Sequence, residues 1–589
     1  MSTPPLLPLE KGQHPLPPAP KPLRLRGVLF YLAAVLLFWA VVPSNLLRSL
    51  AKSLVRSTAD PLADPLADPL ADPLADPLAG PSCEQPAPLF PQLDPLISQH
   101  YDLIFSSDKY HALAAEHLSK AIQIKTVSYD DMRRVVAGDP RLLPFLDFHR
   151  LLESLYPNVH QNLTREVINE YGLLYSWPGT NPDLKPLLLM AHFDVVPVAD
   201  SSLDQWEYPP FSGAIENGRV WGRGASDTKG TLMAILEAVE ILLGLDFHPA
   251  RGIYLAFGFD EEINGFNGAG HIAQTLKDRH IDFEFIVDEG TGLADNYNTT
   301  FALISTAEKG YLDVQINVTA PGGHSSMPPP HTAIGILADA LVHIEANPHH
   351  PNLPDNNPMF DAVQCFVEHG HHVDPKLKKL VQLAKHDSHH RKALVDYLSK
   401  NYVLGLQMLT TQAVDVIQGG VKVNALPESV FALVNHRVAV DSSTTHVLKR
   451  LHDTLSPLKK KYGIEIVDNW GEDGIQTNNA ADPIVLTISP VQILEPSPLT
   501  QAKGRSWDTL AGTVRRVFGA HVVVSPSLMF GNTDTRHYLD LSHNVYRFSP
   551  AHQNQAGGVH TVNEYIEIHG FVGSVKFYHE LIRNFVETA

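Results

Sequence analysis

The sequence predicts an α/β body carrying a smaller α+β insertion, on three observations. From about Ser98 onward, apolar strand-like runs alternate with helical stretches, the pattern of a mostly parallel sheet covered by helices. Four of those runs stop abruptly at acids or a histidine. Between Ala307–Val318 (AEKGYLDVQINV) and Lys461–Trp470 (KYGIEIVDNW) the pattern becomes strand, helix, strand, strand, helix, strand, which reads as a second domain. The chain is 589 residues long, 44% hydrophobic and 19% charged, enough for two or three domains with sizeable cores. Its net charge of -19 excludes a nucleic-acid binder, which needs a basic face.

The first hundred residues precede that body. Met1–Arg26 is rich in Pro and Leu and reads as a disordered tail. Gly27–Val42 (GVLFYLAAVLLFWAVV) has no charge, and continuation to Leu47 makes residues 27–47 a candidate membrane span. The long preceding tail and the absence of an A-x-A-like site favour an uncleaved signal anchor over a signal peptide. Lys11, Lys21, Arg24 and Arg26 precede the span, and Arg48, Lys52 and Arg56 follow it, so charge orients it only weakly. N-x-[ST] sequons at Asn162, Asn298 and Asn317 lean toward a lumenal body. Residues 48–97 form the stalk, with five tandem ADPL units in Ala59–Gly80. A Pro at every fourth position keeps such a stretch extended. Cys83 and Cys365 cannot build a Cys-rich metal site; they form one disulfide or stay free.

In the body, LLLMA (Leu187–Ala191) ends in His192-Phe193-Asp194. VWGRGAS (Val220–Ser226) ends in Asp227 and is followed by a helix over Thr231–Leu243. IYLAFGF (Ile253–Phe259) ends in Asp260-Glu261-Glu262, and FEFIV (Phe283–Val287) in Asp288-Glu289-Gly290. One acid after a strand is usually a helix cap. Four such endings in one open sheet converge on the crevice at the strands' carboxyl ends. Carboxylates gathered there need a cation, and imidazole plus carboxylate without thiolate suits zinc, or else manganese or cobalt. More hard ligands than one ion takes imply two ions sharing a bridging carboxylate, with one carboxylate left over as a base.

The motifs AHFDVVP, GRGASDTKG, DEEINGFNG and FIVDEG, in this order, resemble those of the di-zinc peptidase superfamily that includes aminoacylase and carboxypeptidase G. The anchor, the stalk and GGHSSMPPP are most similar to its fungal carboxypeptidase S (Gly-X carboxypeptidase) branch. The resemblance implies a di-zinc exopeptidase catalytic domain (98–308 and 471–589) with an inserted ferredoxin-like lid and dimerisation domain (309–470). It implies two Zn2+ per subunit, with Co2+ or Mn2+ as substitutes. His192, Asp227, Glu262, Asp288 and His560 match the metal ligands, with Asp227 bridging. Glu261 matches the general base, Asp194 the carboxylate that orients His192, and His324 the lid histidine that stabilises the tetrahedral intermediate. Asn424, Arg437, Gly531, Asp534 and Arg536 match substrate-binding positions, Arg437 suiting a free carboxylate through its fork.

The implied activity is hydrolysis of the C-terminal peptide bond of short peptides. One alternative is an N-fatty-acyl amino acid hydrolase/synthase; another, of a different class, is a receptor-like ectodomain without catalysis. The implied setting is the secretory and vacuolar pathway, the body lumenal and in the end released into the vacuole, and the implied assembly a homodimer through the lid. The chain departs from smaller relatives in a stretch from Asn347 to Arg391 that holds eight His, read as a solvated helical insertion in preference to a third metal site.

Overall fold

The computed structural model describes residues 83–587 apart from 133–134, 136–137, 386 and 471–483. The tail, the candidate span 27–47 and the ADPL stretch lie outside the described residues. Among the described residues no helix is long and apolar enough to cross a membrane.

The chain enters its main sheet through an antiparallel hairpin, β1 (Thr164–Ile168) and β2 (Gly172–Trp177). β3 (Leu187–His192) is buried at every position and β4 (Ile253–Gly258) at all but one. Such unbroken apolar runs belong to strands covered on both faces. β5 (Phe285–Asn296) and β6 (Thr299–Glu308) follow. The chain then leaves for the insertion and returns as β12 (Val523–Met529) and β13 (Val545–His552). The eight-stranded order is β1-β2-β4-β3-β5-β13-β6-β12, with β3 parallel to both β4 and β5. Helix Lys229–Gly244 is apolar nearly all round because it is packed between the sheet and helix Ile568–Glu587.

The insertion holds β7 (Gly310–Thr319), β8 (Thr411–Gly419), β9 (Ser429–Val438), β10 (Glu465–Asp468) and β11 (Val485–Leu494), in the order β8-β9-β7-β11-β10. β7 and β9 alternate buried with half-exposed positions. Their apolar side is covered by helices Ala333–Glu345 and Thr444–Leu455, as a one-faced sheet requires. The expected βαββαβ order is present, but the expected boundary at 470 is not. β11, assigned from sequence to the catalytic domain, pairs antiparallel with β7 and parallel with β10 and stands between them. It carries Leu486 and Ile488 into the insertion's core.

The His-rich stretch is helical, with helices Pro358–His369, Pro375–Ala384 and Ser388–Leu398, yet it is more than a solvated addition. Met359, Phe360, Val363 and Phe366 are buried in a cluster with Phe301 and Leu528. The first of these helices lies against β12 and β6, so it caps one edge of the main sheet. Cys365 on this helix forms a disulfide with Cys83 across a sequence separation of 282 residues, which closes the alternative of two free thiols.

Candidate metal centre

β3 and β5 run side by side only as far as Leu189 and Val287. Beyond that point the strands part and leave a gap at the carboxyl ends of β3 and β4. His192, the last residue of β3, points its Nε2 into this gap, 3.1 Å from Asp227 Oδ1 and 3.3 Å from Glu289 Oε1. The other oxygen of Asp227, Oδ2, lies 3.1 Å from His560 Nε2, which is also 3.0 Å from Glu262 Oε2. Two triads result, His192–Asp227–Glu289 and Asp227–Glu262–His560, and Asp227 belongs to both. Glu261 Oε2 stands 3.9 Å from His192 Nε2, beside the first triad but outside it.

Each side chain is held from behind. Asp194 Oδ1 lies 3.2 Å from His192 Nδ1. The same carboxylate accepts from the Glu261 and Glu262 backbone N–H groups and from Ser128 Oγ, so one buried group orients both the histidine and the acidic turn. Glu564 Oε1 accepts from the Ser226 and Asp227 N–H groups while its Oε2 pairs with Arg223 at 2.6 Å, which fixes the loop carrying Asp227. Sequence reasoning missed Glu564 and Arg223, although Glu564 sits four residues after His560.

The expected ligand Asp288 is displaced by its neighbour. Asp288 is in register with Arg547 and Thr291 with Phe548, so Glu289 and Gly290 form a bulge in β5. The bulge sends the Glu289 carboxylate into the gap and leaves Asp288 behind it. Asp288 Oδ1 accepts from the Glu289 N–H, and its Oδ2 is buried without a partner. Gly290 is required there because a Cβ would collide with the Arg547 backbone.

The expected substrate-binding positions separate. Asp534 is 4% exposed, and its two oxygens have no hydrogen-bond partner. It sits under the site where Gly258 and Gly265 leave room for it. Arg536 donates to Asn264 Oδ1 at 3.2 Å, and Gly531 faces open space. Arg437 of the insertion reaches the main domain: its Nη1 donates to Asn532 Oδ1 at 3.2 Å and its guanidinium lies 4.6 Å from the centre of the Tyr311 ring. Asn532 in turn donates to the Lys309 carbonyl, a contact the sequence did not signal. His324 pairs with Ala425 on a two-stranded ladder of the insertion, with Asn424 next to that ladder; both are exposed, His324 bonds to Ser326, and the Asn424 carbonyl accepts from the Ser325 N–H. Asn162 and Asn298 are exposed, whereas Asn317 is half-buried on β7 and accepts from Ser429 Oγ. A cleft of about 1080 Å³ beside the disulfide is lined by none of these site residues.

The electrostatics test whether this donor set fits metal. Burial, with repulsion from Asp227 and Asp288, pushes Glu289 up to about 8 against the pull of His192. Burial likewise raises Glu261 well above the usual range, with Glu289, Asp534 and Glu262 adding to it. Hydrogen bonds to Asp227 and Glu262 raise His560 to about 10. Burial alone would lower His192, but Glu289, Asp194 and Asp227 outweigh it and hold it well above an ordinary imidazole. Protons thus crowd onto a site where four carboxylates face two imidazoles, the arrangement that divalent cations satisfy. Imidazole and carboxylate donors in two triads with a shared carboxylate fit a pair of ions of the zinc type.

Residues 188–584 match peptidase family M20/M25/M40. The chain is 39% identical over 522 residues to carboxypeptidase S of Saccharomyces cerevisiae, covering 86% of this chain and 89% of the relative. It is 33% identical over 491 residues to the Bos taurus N-fatty-acyl-amino acid synthase/hydrolase PM20D1, covering 82% of this chain and 89% of the relative. Human carnosine dipeptidase 1 superposes with a TM-score of 0.54 at 16% identity, over 84% of this chain and 99% of that one. A metallo-carboxypeptidase from Sulfolobus solfataricus gives 0.51 at 19% identity, over 80% and 99%. At such identities these two likenesses show the fold.

Proposed function

The chain belongs to the M20/M25/M40 peptidase family, and from that premise we propose that its two triads form the two-zinc centre of a carboxypeptidase acting on short peptides. The reaction is hydrolysis of the last peptide bond: water adds to the carbonyl, the C–N bond breaks, and the products are a carboxylic acid and a free amino acid. The observation that carries the proposal is Asp227, whose two oxygens serve two separate donor sets.

His192, Asp227 and Glu289 would hold one ion, and Asp227, Glu262 and His560 the other. When bound, the ions supply Lewis acidity toward the carbonyl oxygen and make water easier to deprotonate. Glu261 stands next to the ligands without being one, so its carboxylate takes the proton from the attacking water and passes it to the departing amide nitrogen. Arg437, braced by Asn532 and Tyr311, receives the substrate's free carboxylate in its planar fork.

His324 and Asn424 complete the site from a second subunit. Their exposure supports this reading, as do Val416 and Ile417, exposed on the insertion's edge strand β8. The body is lumenal, behind an anchor at 27–47: the disulfide and the exposed sequons at Asn162 and Asn298 suit an oxidising, glycosylating compartment leading to the vacuole.

The test is hydrolysis of a blocked Gly-Leu dipeptide and of an oleoyl amino acid, before and after chelation and zinc return. Zinc-dependent release of Leu, lost in Glu261→Gln, is the expected result. Preference for the oleoyl substrate would move the enzyme to the fatty-acyl branch, and two bound ions without turnover of either would favour the receptor reading. For the assembly, light scattering should give a dimer, and His324→Ala should lower kcat; a fully active monomer would end the two-subunit site.

A further inference from the structure

A pocket of about 330 Å³ opens beside the shared carboxylate, with Asp227 and Glu289 in its wall. The rest of the lining includes Gly290, Met529, Ala551, Ala556, Val559 and Ile566. Val559 is half exposed, while Thr231, Ile566 and Ser574 are buried. The serine hydroxyls in the wall are already engaged: Ser549 Oγ accepts from the Gly290 N–H, and Ser574 Oγ donates to the Pro550 and Gly570 carbonyls. His552, whose Nε2 lies 3.3 Å from Asp295 Oδ1, and Gln553 also line the wall, so the lining is apolar in most of its side chains but not in all.

We infer that this pocket is the acyl-side subsite, and that it buries an aliphatic or aromatic acyl group of up to about ten heavy atoms, the remainder of a longer fatty-acyl chain lying outside it. The inference rests on the carboxypeptidase reading and decides a question that reading leaves open, namely which amides the centre takes. Its position follows from the chemistry. The scissile carbonyl must reach the two triads, and the carboxylate side of the substrate is claimed by Arg437. The group on the other side of the carbonyl is therefore left to the cavity that Asp227 and Glu289 border. Its size follows from the volume. A methylene needs roughly the 30 Å³ that a water molecule occupies in the liquid, so 330 Å³ holds about ten heavy atoms, whereas an eighteen-carbon chain needs roughly 540 Å³. A hexanoyl, phenylacetyl or octanoyl group fits within that limit, and an oleoyl chain leaves much of its length in water.

The experiment uses the zinc-loaded full chain and N-acyl-leucines from acetyl through butyryl, hexanoyl, octanoyl and dodecanoyl to oleoyl. Each buried methylene should raise kcat/KM about three- to fourfold up to hexanoyl or octanoyl, after which the series levels or falls. The same break should appear in affinities measured by calorimetry on Glu261→Gln, which binds without turning over. Ala556→Met narrows the pocket and should move the break to shorter chains; Met529→Ala widens it and should move the break to longer ones. A rise that continues to oleoyl, turnover with no chain-length dependence, or a break that neither substitution moves would overturn the pocket assignment and leave the carboxypeptidase reading intact. Failure to hydrolyse both the acyl-leucines and blocked Gly-Leu would remove that reading as well.

Discussion

Glu289 and Asp288 are adjacent carboxylates with opposite expected fates, and exchanging each for its amide tests the bulge in β5. Glu289→Gln replaces one of three donors around one ion with a neutral, weaker one. Loss of a mere supporting partner costs roughly 10–100-fold in metal affinity, and loss of a donor should cost more than that. Metal-free, the sign reverses. Burial and two neighbouring carboxylates already push Glu289 up to about 8, so removing its charge should raise the melting temperature of the chelated protein at pH 8. Asp288→Asn keeps the oxygen that accepts the Glu289 N–H and supplies a donor where Oδ2 now has no partner. It should retain both ions and be neutral or stabilising, by at most about 1–3 kcal/mol. The assay is zinc content and competitive chelator titration of both variants, with thermal unfolding with and without zinc. If Asp288→Asn loses an ion while Glu289→Gln keeps two, the bulge does not aim Glu289 at the site and the first triad is wrong.

Asp194→Ala removes the acceptor shared by His192, the Glu261–Glu262 turn and Ser128; zinc affinity should fall about 10–100-fold, and activity should return with excess zinc. An unchanged chelator titration would show that Asp194 does not position the ligands. Metal-free protein should lose stability as pH rises. Glu289 at about 8 and His560 at about 10 both bind protons more tightly folded than unfolded, so their contribution is complete below their unfolded values, near 4.3 and 6.5, and is lost as pH passes 8 and then 10. Melting curves of chelated protein from pH 5 to 10 check this, and a Tm that climbs across that range would contradict it. Replacing both Cys83 and Cys365 with Ser should cost about 2–5 kcal/mol in urea unfolding, because the bridge closes a long loop; equal midpoints would mean that the edge helix holds without it.

Part of the candidate metal centre was legible in the sequence: His192, Asp227 and Glu262 follow apolar runs that end at one crevice, whereas their individual roles, and His560 altogether, came from the family resemblance. The structure brings His192, Asp227, Glu262 and His560 together in the two triads, with Asp194 against His192. The choice between Asp288 and Glu289 was not legible. It depends on the pairing of β5 with β13, a strand more than 250 residues away, whose register creates the bulge. The same limit applies to Asp534, whose motif places it near the site but whose depth is set by room left at Gly258 and Gly265.

The sequence by itself determined the α/β class, the inserted βαββαβ unit, the acidic gathering at the strand ends and its demand for cations, because these depend on periodicity and local chemistry. Only the tertiary structure decided that β11 joins the insertion, that the His-rich stretch seals a sheet edge through Cys83–Cys365, and that Glu564 anchors the Asp227 loop. It alone set the size of the pocket beside Asp227. Each of these is a contact between segments far apart in the chain, and burial and register, which no local pattern encodes, select among the partners available.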